Sequence, residues 1–314
     1  MTAVIYDPIY NKHFAGDGHP ESPRRLEAIM QVLNETDFAG RLEIIKPRDA
    51  GDDEILAVHS KQYLAQVRSD ITSGRRMLTM GDTDVCADSL DAAIKAAGGI
   101  CLAVDQVFAG KYRNAFCAVR PPGHHSGESR GSGFCVFNNV AIAARHAQKK
   151  HKISRVLIAD WDVHHGNGTQ ETFYSDPSVL FFSTHQWPLY PMTGRTNETG
   201  EGKGAGTTIN CAFGAGAGHE QIVGAFRDKL IGAADLFKPE LVLISAGFDS
   251  RLGDPLGGFC LTDEDFAELT GIMLDIARKH ASGRLVSTLE GGYNPTGLAK
   301  AVRAHCQTLA SAKA

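Results

Sequence analysis

Short apolar runs alternate with helical stretches along the whole chain, and this rhythm restricts the fold more than any other feature of the sequence. Residues 3–6, 115–119, 155–159, 179–183, 241–245 and 285–289 each read as a buried strand bounded by turn signals. The spacing of apolar residues predicts helices over 23–33, 60–71, 88–108, 138–149, 219–236, 263–280 and 296–309. Strands that alternate with helices are joined by crossovers, which implies an α/β fold with a mostly parallel sheet flanked by helices. No repeat, low-complexity tract or linker interrupts the rhythm, so 1–314 is expected to form a single domain.

Composition excludes several classes. A net charge of -4 provides no field suited to gripping nucleic acid. No window approaches ~18 uncharged apolar residues, so no membrane span is expected. The first residues reach Asp7 and Lys12 without a basic stretch leading into an apolar run, and they do not read as a signal peptide. Seven cysteines, an odd number without a CxxC pair, point to reduced thiols in a cytoplasmic protein. The 34 glycines exceed the roughly 7% of ordinary usage and gather in runs such as 200–206 and 214–218, which suggests loops with unusual backbone angles.

In open α/β sheets the ligand crevice lies beyond the carboxyl ends of the strands, and here those positions are rich in reactive side chains. After the strand at 155–159 come Asp160, Asp162, His164, His165 and Asn167, too polar a set for a plain connection. Asp160, Asp162 and His164 alternate by two, so in an extended segment they project from one side, where a carboxylate and an imidazole can share one cation. Asp249 follows the strand at 241–245 and is a candidate third ligand. Asp162, His164 and Asp249 then make a set that suits a catalytic zinc with open positions, although such oxygen-rich ligation also admits iron or cobalt.

Past the strand at 115–119, Pro121 and Pro122 stiffen the approach to His124 and His125, candidate proton shuttles. One ring beside a carboxylate and the other beside an amide would separate their pKa values and roles, with Asp160 and Asn167 as candidate partners. Gly291 and Gly292 permit a tight turn that would aim Tyr293 inward, where a phenol can donate to a developing oxyanion. The bland alternatives are a solvated loop for 160–168 and a packed core tyrosine for Tyr293.

Taken together, these segments resemble the histone deacetylase superfamily, which includes bacterial acetylpolyamine amidohydrolases and shares the arginase-type fold. The motifs stand in the family's order: His19-Pro20-Glu21 with Arg24 nearby, Arg120 to His125, Gly133-Phe134-Cys135 then Phe137-Asn138-Asn139, Asp160 to Gly168, Gly247-Phe248-Asp249, and Glu290-Gly291-Gly292-Tyr293. The resemblance implies an arginase/deacetylase-type sheet of about eight strands, with the site at the strand C-terminal ends. It implies zinc on Asp162, His164 and Asp249, His125 as general base, His124 as its electrostatic partner sharing acid duty, and Tyr293 polarising the carbonyl. Gly133 would offer its carbonyl to the scissile amide, Phe134 and Tyr190 would wall a narrow tube, and Arg24 would line an inner acetate-release cavity. Potassium would sit near Asp160, Asp162, His164, Ser183 and Thr184, and a second potassium near the backbone of Phe173, Asp176 and Val179. Asn167 resembles second-class and bacterial relatives rather than first-class ones.

The activity so implied is zinc-dependent hydrolysis of N-acetyl-lysine, in protein, peptide or small molecule, to free amine and acetate. An acetylpolyamine presents the same amide at the end of an aliphatic stem and is the alternative substrate. In a polyamine-specialised relative a glutamate follows the third zinc ligand, and the corresponding position here is Leu256, which favours acetyl-lysine. Asp82 and Asp84 are candidate acidic rim residues that would suit either substrate. A catalytically weak acyl-lysine-binding module is a further reading, but one that should lack a catalytic group. A dimetal ureohydrolase is disfavoured because Ser250-Arg251 stands where another carboxylate ligand would be needed. Relatives with small substrates often narrow their entrances by homo-oligomerisation, and the loop 186–206 is expected to shape this one.

Overall fold

The computed structural model describes residues 1–35 and 38–312, so positions 36, 37, 313 and 314 of the expected 1–314 domain lie outside the described residues. Eight strands occur: β1 (Thr2–Ile5), β2 (Leu42–Ile45), β3 (Asn114–Cys117), β4 (Val156–Asp160), β5 (Val179–Gln186), β6 (Thr208–Phe213), β7 (Leu241–Ala246) and β8 (Leu285–Leu289). They form one sheet in the order β2-β1-β3-β8-β7-β4-β5-β6. Every neighbouring pair is parallel.

The helices are α1 (Arg24–Leu33), α2 (Asp52–Ile55), α3 (Lys61–Thr72), α4 (Ser89–Phe108), α5 (Asn139–His151), α6 (Asn167–Phe173), α7 (His219–Ala225), α8 (Ile231–Phe237), α9 (Asp263–His280) and α10 (Pro295–Ser311). The helix expected over 219–236 is α7 and α8 joined by a wide π turn at Phe226–Leu230. No helix among the described residues is long and apolar enough to cross a membrane.

Burial explains which strands the sequence reveals. β4, β7 and β8 are buried at every residue, as strands covered on both faces must be, and each is mostly apolar, broken only by Asp160, by Ser245 and by Ser287 with Thr288. β2 sits on one edge with Glu43 and Ile44 exposed, so its four residues carry no buried run, and β6 on the other edge is only half covered. These two edge strands, with the single turn α2 and the short α6, are the elements that hydrophobic spacing does not announce.

The strand order also positions the site. β3, β8, β7 and β4 are consecutive neighbours at the centre of the sheet. At about 4.8 Å between strands, the loops leaving their carboxyl ends emerge within roughly 15 Å of one another. Those loops carry His124 and His125, Tyr293, Asp249, and Asp162 with His164, residues separated by up to 169 positions in sequence (293 minus 124). Beneath them Trp161 is fully buried, within ring-contact distance of Phe226, Phe266 and His305, so the segment bearing Asp160 and Asp162 is anchored on the core.

Candidate active site

The chain turns sharply at the end of β4. Asp160 Oδ1 accepts the Asp162 amide at 3.1 Å, and Asp162 Oδ1 accepts the His164 amide at 2.9 Å. Each aspartate thus closes a local turn two residues on, which fixes the direction of the next side chain. From the adjacent β7, Asp249 Oδ1 accepts the Val163 amide at 2.8 Å. His164 Nδ1 then lies 3.0 Å from Asp162 Oδ1 and 3.1 Å from Asp249 Oδ2. One ligand-type atom from each residue falls within 4.8 Å of the other two, and all three residues are buried.

Glycine permits this approach. A β-carbon at Gly247 would stand 2.1 Å from Asp162 Oδ2, and one at Gly291 would stand 2.0 Å from Asp249 Oδ2. Burial opposes a charge on His164, yet its hydrogen bonds with Asp162 and Asp249 lift it to about 10. Burial and then repulsion from Asp162 push Asp249 up to about 7, while Asp162 itself, despite burial, is held below the usual range by His124 and His164. Two buried carboxylates closing on one imidazole form a cradle that demands a cation, and the donor set fits a divalent metal such as zinc with coordination positions left over. Ser250 donates to the Trp161 carbonyl at 2.9 Å and Arg251 pairs with Asp263, so neither extends the cluster to a second metal.

The two histidines after β3 have different partners. His124 Nδ1 lies 2.9 Å from Asp160 Oδ2, whereas His125 Nδ1 lies 2.8 Å from Asn167 Oδ1 at the start of α6. Burial works against a charge on His124, but Asp160 and Asp162 lift it to about 10. Burial, then the positive charge on His124 and His164, drives His125 well below its ordinary value. Rings whose centroids are 4.0 Å apart are therefore one cationic and one neutral at pH 7. An amide oxygen can only accept a hydrogen bond, so Nδ1 keeps its hydrogen and donates it to Asn167, which leaves the lone pair of His125 on Nε2. The segment is pinned from behind: Glu290 Oε2 accepts the Gly123 amide at 2.6 Å and the His124 amide at 3.1 Å, and Asn139 Nδ2 donates to the Pro121 carbonyl at 3.2 Å.

Tyr293 arrives from β8 through Gly291 and Gly292, the latter at φ 120°, a value that suits glycine alone. Burial raises the phenol well above its ordinary value, so it remains protonated and able to donate. Arg25 lies with its guanidinium carbon 5.0 Å from the centroid of that ring. It donates to the Gly292 carbonyl at 2.7 Å, to Glu21 at 3.0 Å and to the Glu290 carbonyl. Arg24, expected to line an inner cavity, is instead exposed on the first turn of α1, and the interior position belongs to the fully buried Arg25. The helical period carries the signal: Arg25 shares the buried face with Leu26, Ile29, Met30 and Leu33, and Arg24 does not. Glu21 answers both Arg25 and Arg120. Burial opposes its charge, but Arg120 and a hydrogen bond from His13 hold it well below the usual carboxylate range.

A cavity of about 380 Å³ opens onto these groups. Eight of the residues singled out in sequence line it: Asp82, His125, Gly133, Phe134, His164, Tyr190, Leu256 and Tyr293. Leu189 completes the lining without a sequence signal of its own, and His124 is not part of it. Gly133 and Phe134 have φ of 55° and 69°, and a β-carbon at Gly133 would lie 2.3 Å from the His125 ring. Asp82 accepts the Gly133 amide at 3.1 Å and so holds this loop in place, while Asp84 lies 3.8 Å from His19. Tyr190 faces His125 edge-on at 5.1 Å. A larger cavity of about 580 Å³ beside Arg113, Leu274 and Thr308 contains none of these groups.

On the far side of Asp160, Ser183 lies opposite it in the β4–β5 register. The Ser183 hydroxyl meets His185 Nδ1 at 2.9 Å, and the buried Thr184 hydroxyl has no hydrogen-bond partner. Further along, the Phe173 carbonyl accepts the Asp176 amide at 3.0 Å.

Residues 19–309 match the family model of the histone deacetylase domain. The chain is 41% identical to "Histone deacetylase 6" of Caenorhabditis elegans over 98% of its own length and 34% of the relative's. It is 38% identical to a "Probable deacetylase" of Archaeoglobus fulgidus, over 95% of its length and 82% of that protein. To "Polyamine deacetylase HDAC10" of Homo sapiens it is 41% identical, over 92% of its length and 44% of the relative's. The chain thus spans about a third of the first of these relatives and less than half of the last.

Proposed function

This chain belongs to the histone deacetylase family, and on that premise we propose that it is a zinc-dependent deacetylase that hydrolyses the amide of N-acetyl-lysine to free amine and acetate. The observation that carries the proposal is that His125, Tyr293 and His164, the last a member of the Asp162–His164–Asp249 cradle, line one cavity of about 380 Å³.

Asp162, His164 and Asp249 would hold the zinc. When bound there, zinc supplies Lewis acidity, polarising a carbonyl oxygen and easing deprotonation of water. The remaining chemistry belongs to the side chains. His125 Nε2 takes the proton of the attacking water, and Asn167 keeps the ring in the tautomer that allows this. Tyr293 donates its phenolic hydrogen bond to the oxygen on which negative charge develops. His125 lines the cavity and His124 does not, so His125 also returns the proton to the departing amine. His124, held cationic by Asp160, stabilises the negative charge and keeps the His125 pKa low. Phe134 and Tyr190 enclose the aliphatic stem, and Gly133 presents its backbone to the amide. A potassium ion is assigned to Asp160, Asp162, His164, Ser183 and Thr184, supported by the unpartnered Thr184 hydroxyl.

Leu256 on the cavity wall favours the apolar stem of acetyl-lysine. Asp82 is the observation that favours an acetylpolyamine, since it lines the same cavity and would offer a carboxylate to a distant ammonium. The deciding experiment compares zinc-loaded and chelated protein on an acetyl-lysine peptide and on acetylputrescine, following the amine released. Zinc-dependent release from the peptide is the expected result. Preference for acetylputrescine, lost in Asp82→Asn, would move the assignment to polyamines, and silence on both would leave a binding module.

Tyr293→Phe removes a donor used only as charge develops, so kcat is expected to fall by about 10²–10³-fold with little change in KM. A rise in KM at constant kcat would show that the hydroxyl binds substrate and does no more.

A further inference from the structure

The loop that aims Tyr293 has no regular hydrogen-bonded structure of its own between the end of β8 and the start of α10. Asp162 Oδ2 accepts its Gly291 amide at 2.7 Å, and two further side chains of opposite charge hold the rest of its backbone. Arg25, a donor only, takes the Glu290 and Gly292 carbonyls. Asp254, an acceptor when ionised, takes the amides: its Oδ2 accepts Tyr293 at 2.6 Å and Asn294 at 3.2 Å. Its other oxygen, Oδ1, accepts the Leu256 amide at 2.9 Å. Asn294 Nδ2 returns a bond to the Gly253 carbonyl at 3.0 Å, and its Oδ1 caps α10 through the Gly297 amide at 3.2 Å.

We infer that Asp254 is a positioning residue that clamps the backbone of Tyr293 to the backbone of Leu256, setting the phenol and the cavity wall in a single geometry. Tyr293 and Leu256 belong to different loops, after β8 and after β7, and one carboxylate ties both. An amide N–H carries only one hydrogen, so without Asp254 the amide of the buried Tyr293 must find another acceptor or go unpaired, and the loop moves. A displacement of about 1 Å in a catalytic group costs on the order of 10²-fold in rate. The kinetic part of the inference rests on the deacetylase reading above, and the backbone part does not.

The test uses the full zinc-loaded chain with Asp254→Ala and Asp254→Asn, alone and combined with Tyr293→Phe. Asp254→Ala is expected to lower kcat by on the order of 10²-fold at unchanged zinc content. Asp254→Asn keeps one acceptor oxygen and should fall between alanine and wild type. In the Tyr293→Phe background the alanine substitution should cost far less than in wild type, because its effect runs through the phenol. Full kcat in Asp254→Ala, or losses that simply multiply in the double variant, would overturn the inference. Amide hydrogen exchange is a second readout that needs no turnover. The Tyr293 and Asn294 amides should exchange faster in Asp254→Ala, and unchanged protection overturns the clamp. Faster exchange in a chain that deacetylates nothing would sustain the clamp and sink the deacetylase reading instead.

Discussion

His125→Ala is expected to lower kcat on an acetyl-lysine peptide by roughly 10²–10⁴-fold, the usual contribution of a positioned general base, while zinc content stays at one per chain. The ring donates to Asn167 and faces the cavity, so its removal deletes the proton acceptor without touching Asp162, His164 or Asp249. The rate profile with pH gives an independent check. The base works in its neutral form, which is populated above its folded pKa, and burial together with the positive charge on His124 drives that pKa well below the ordinary value. Activity should therefore hold steady as pH falls through about 6.5 and decline only below it. On the alkaline side the buried Tyr293 phenol keeps its proton past its ordinary pKa of about 10, so no loss is expected near neutrality. An acid limb at or above 6.5 in wild type, or full turnover in the alanine variant, would remove His125 from the mechanism.

The residues proposed for the chemistry are legible because they lie at strand ends, where hydrophobic runs give way abruptly to Asp, His and Gly. Alternation by two in Asp160, Asp162 and His164 placed them on one side, and the structure turns that spacing into two aspartate turns. Sheet order could not be read in the same way. That β8 and β7 lie between β3 and β4 follows from packing across the whole sheet, not from any local pattern. The supporting residues are hidden for a related reason. Asp254 and Arg25 act on backbone atoms 39 and 267 positions away, and a contact with a carbonyl or an amide leaves no partner side chain to recognise. Arg24 and Arg25 differ only in helical phase, and neighbouring Leu26 and Ile29 reveal that phase only once the helix is drawn as a buried face.

Asp249→Asn is expected to abolish turnover and, more tellingly, to invert the order of stability between wild type and variant according to whether zinc is present. The carboxamide keeps an oxygen to accept the Val163 amide but carries no charge for the metal. In wild type, saturating zinc stabilises the native state by RT ln(1 + [L]/Kd), about 4 kcal/mol at a thousand times Kd, and this is lost with the ligand. Without zinc the sign reverses. Burial and then Asp162 raise the Asp249 carboxyl to about 7, so its protonated form is favoured by folding. The stability linked to that proton is complete below the unfolded value near 4 and is lost as pH rises through about 7. At pH 8, metal-free wild type therefore carries two close, mutually repelling buried carboxylates with only the His164 cation between them, whereas the asparagine variant leaves one carboxylate for that one cation. Thermal midpoints of the two proteins, each with zinc and with chelator at pH 8, should rank wild type higher with zinc and the variant equal or higher without it. If His164 between two aspartates were only a structural ion pair, removing one charge would destabilise the chain by the same amount in both conditions, because breaking a buried pair leaves its partner uncompensated whether or not a metal is supplied.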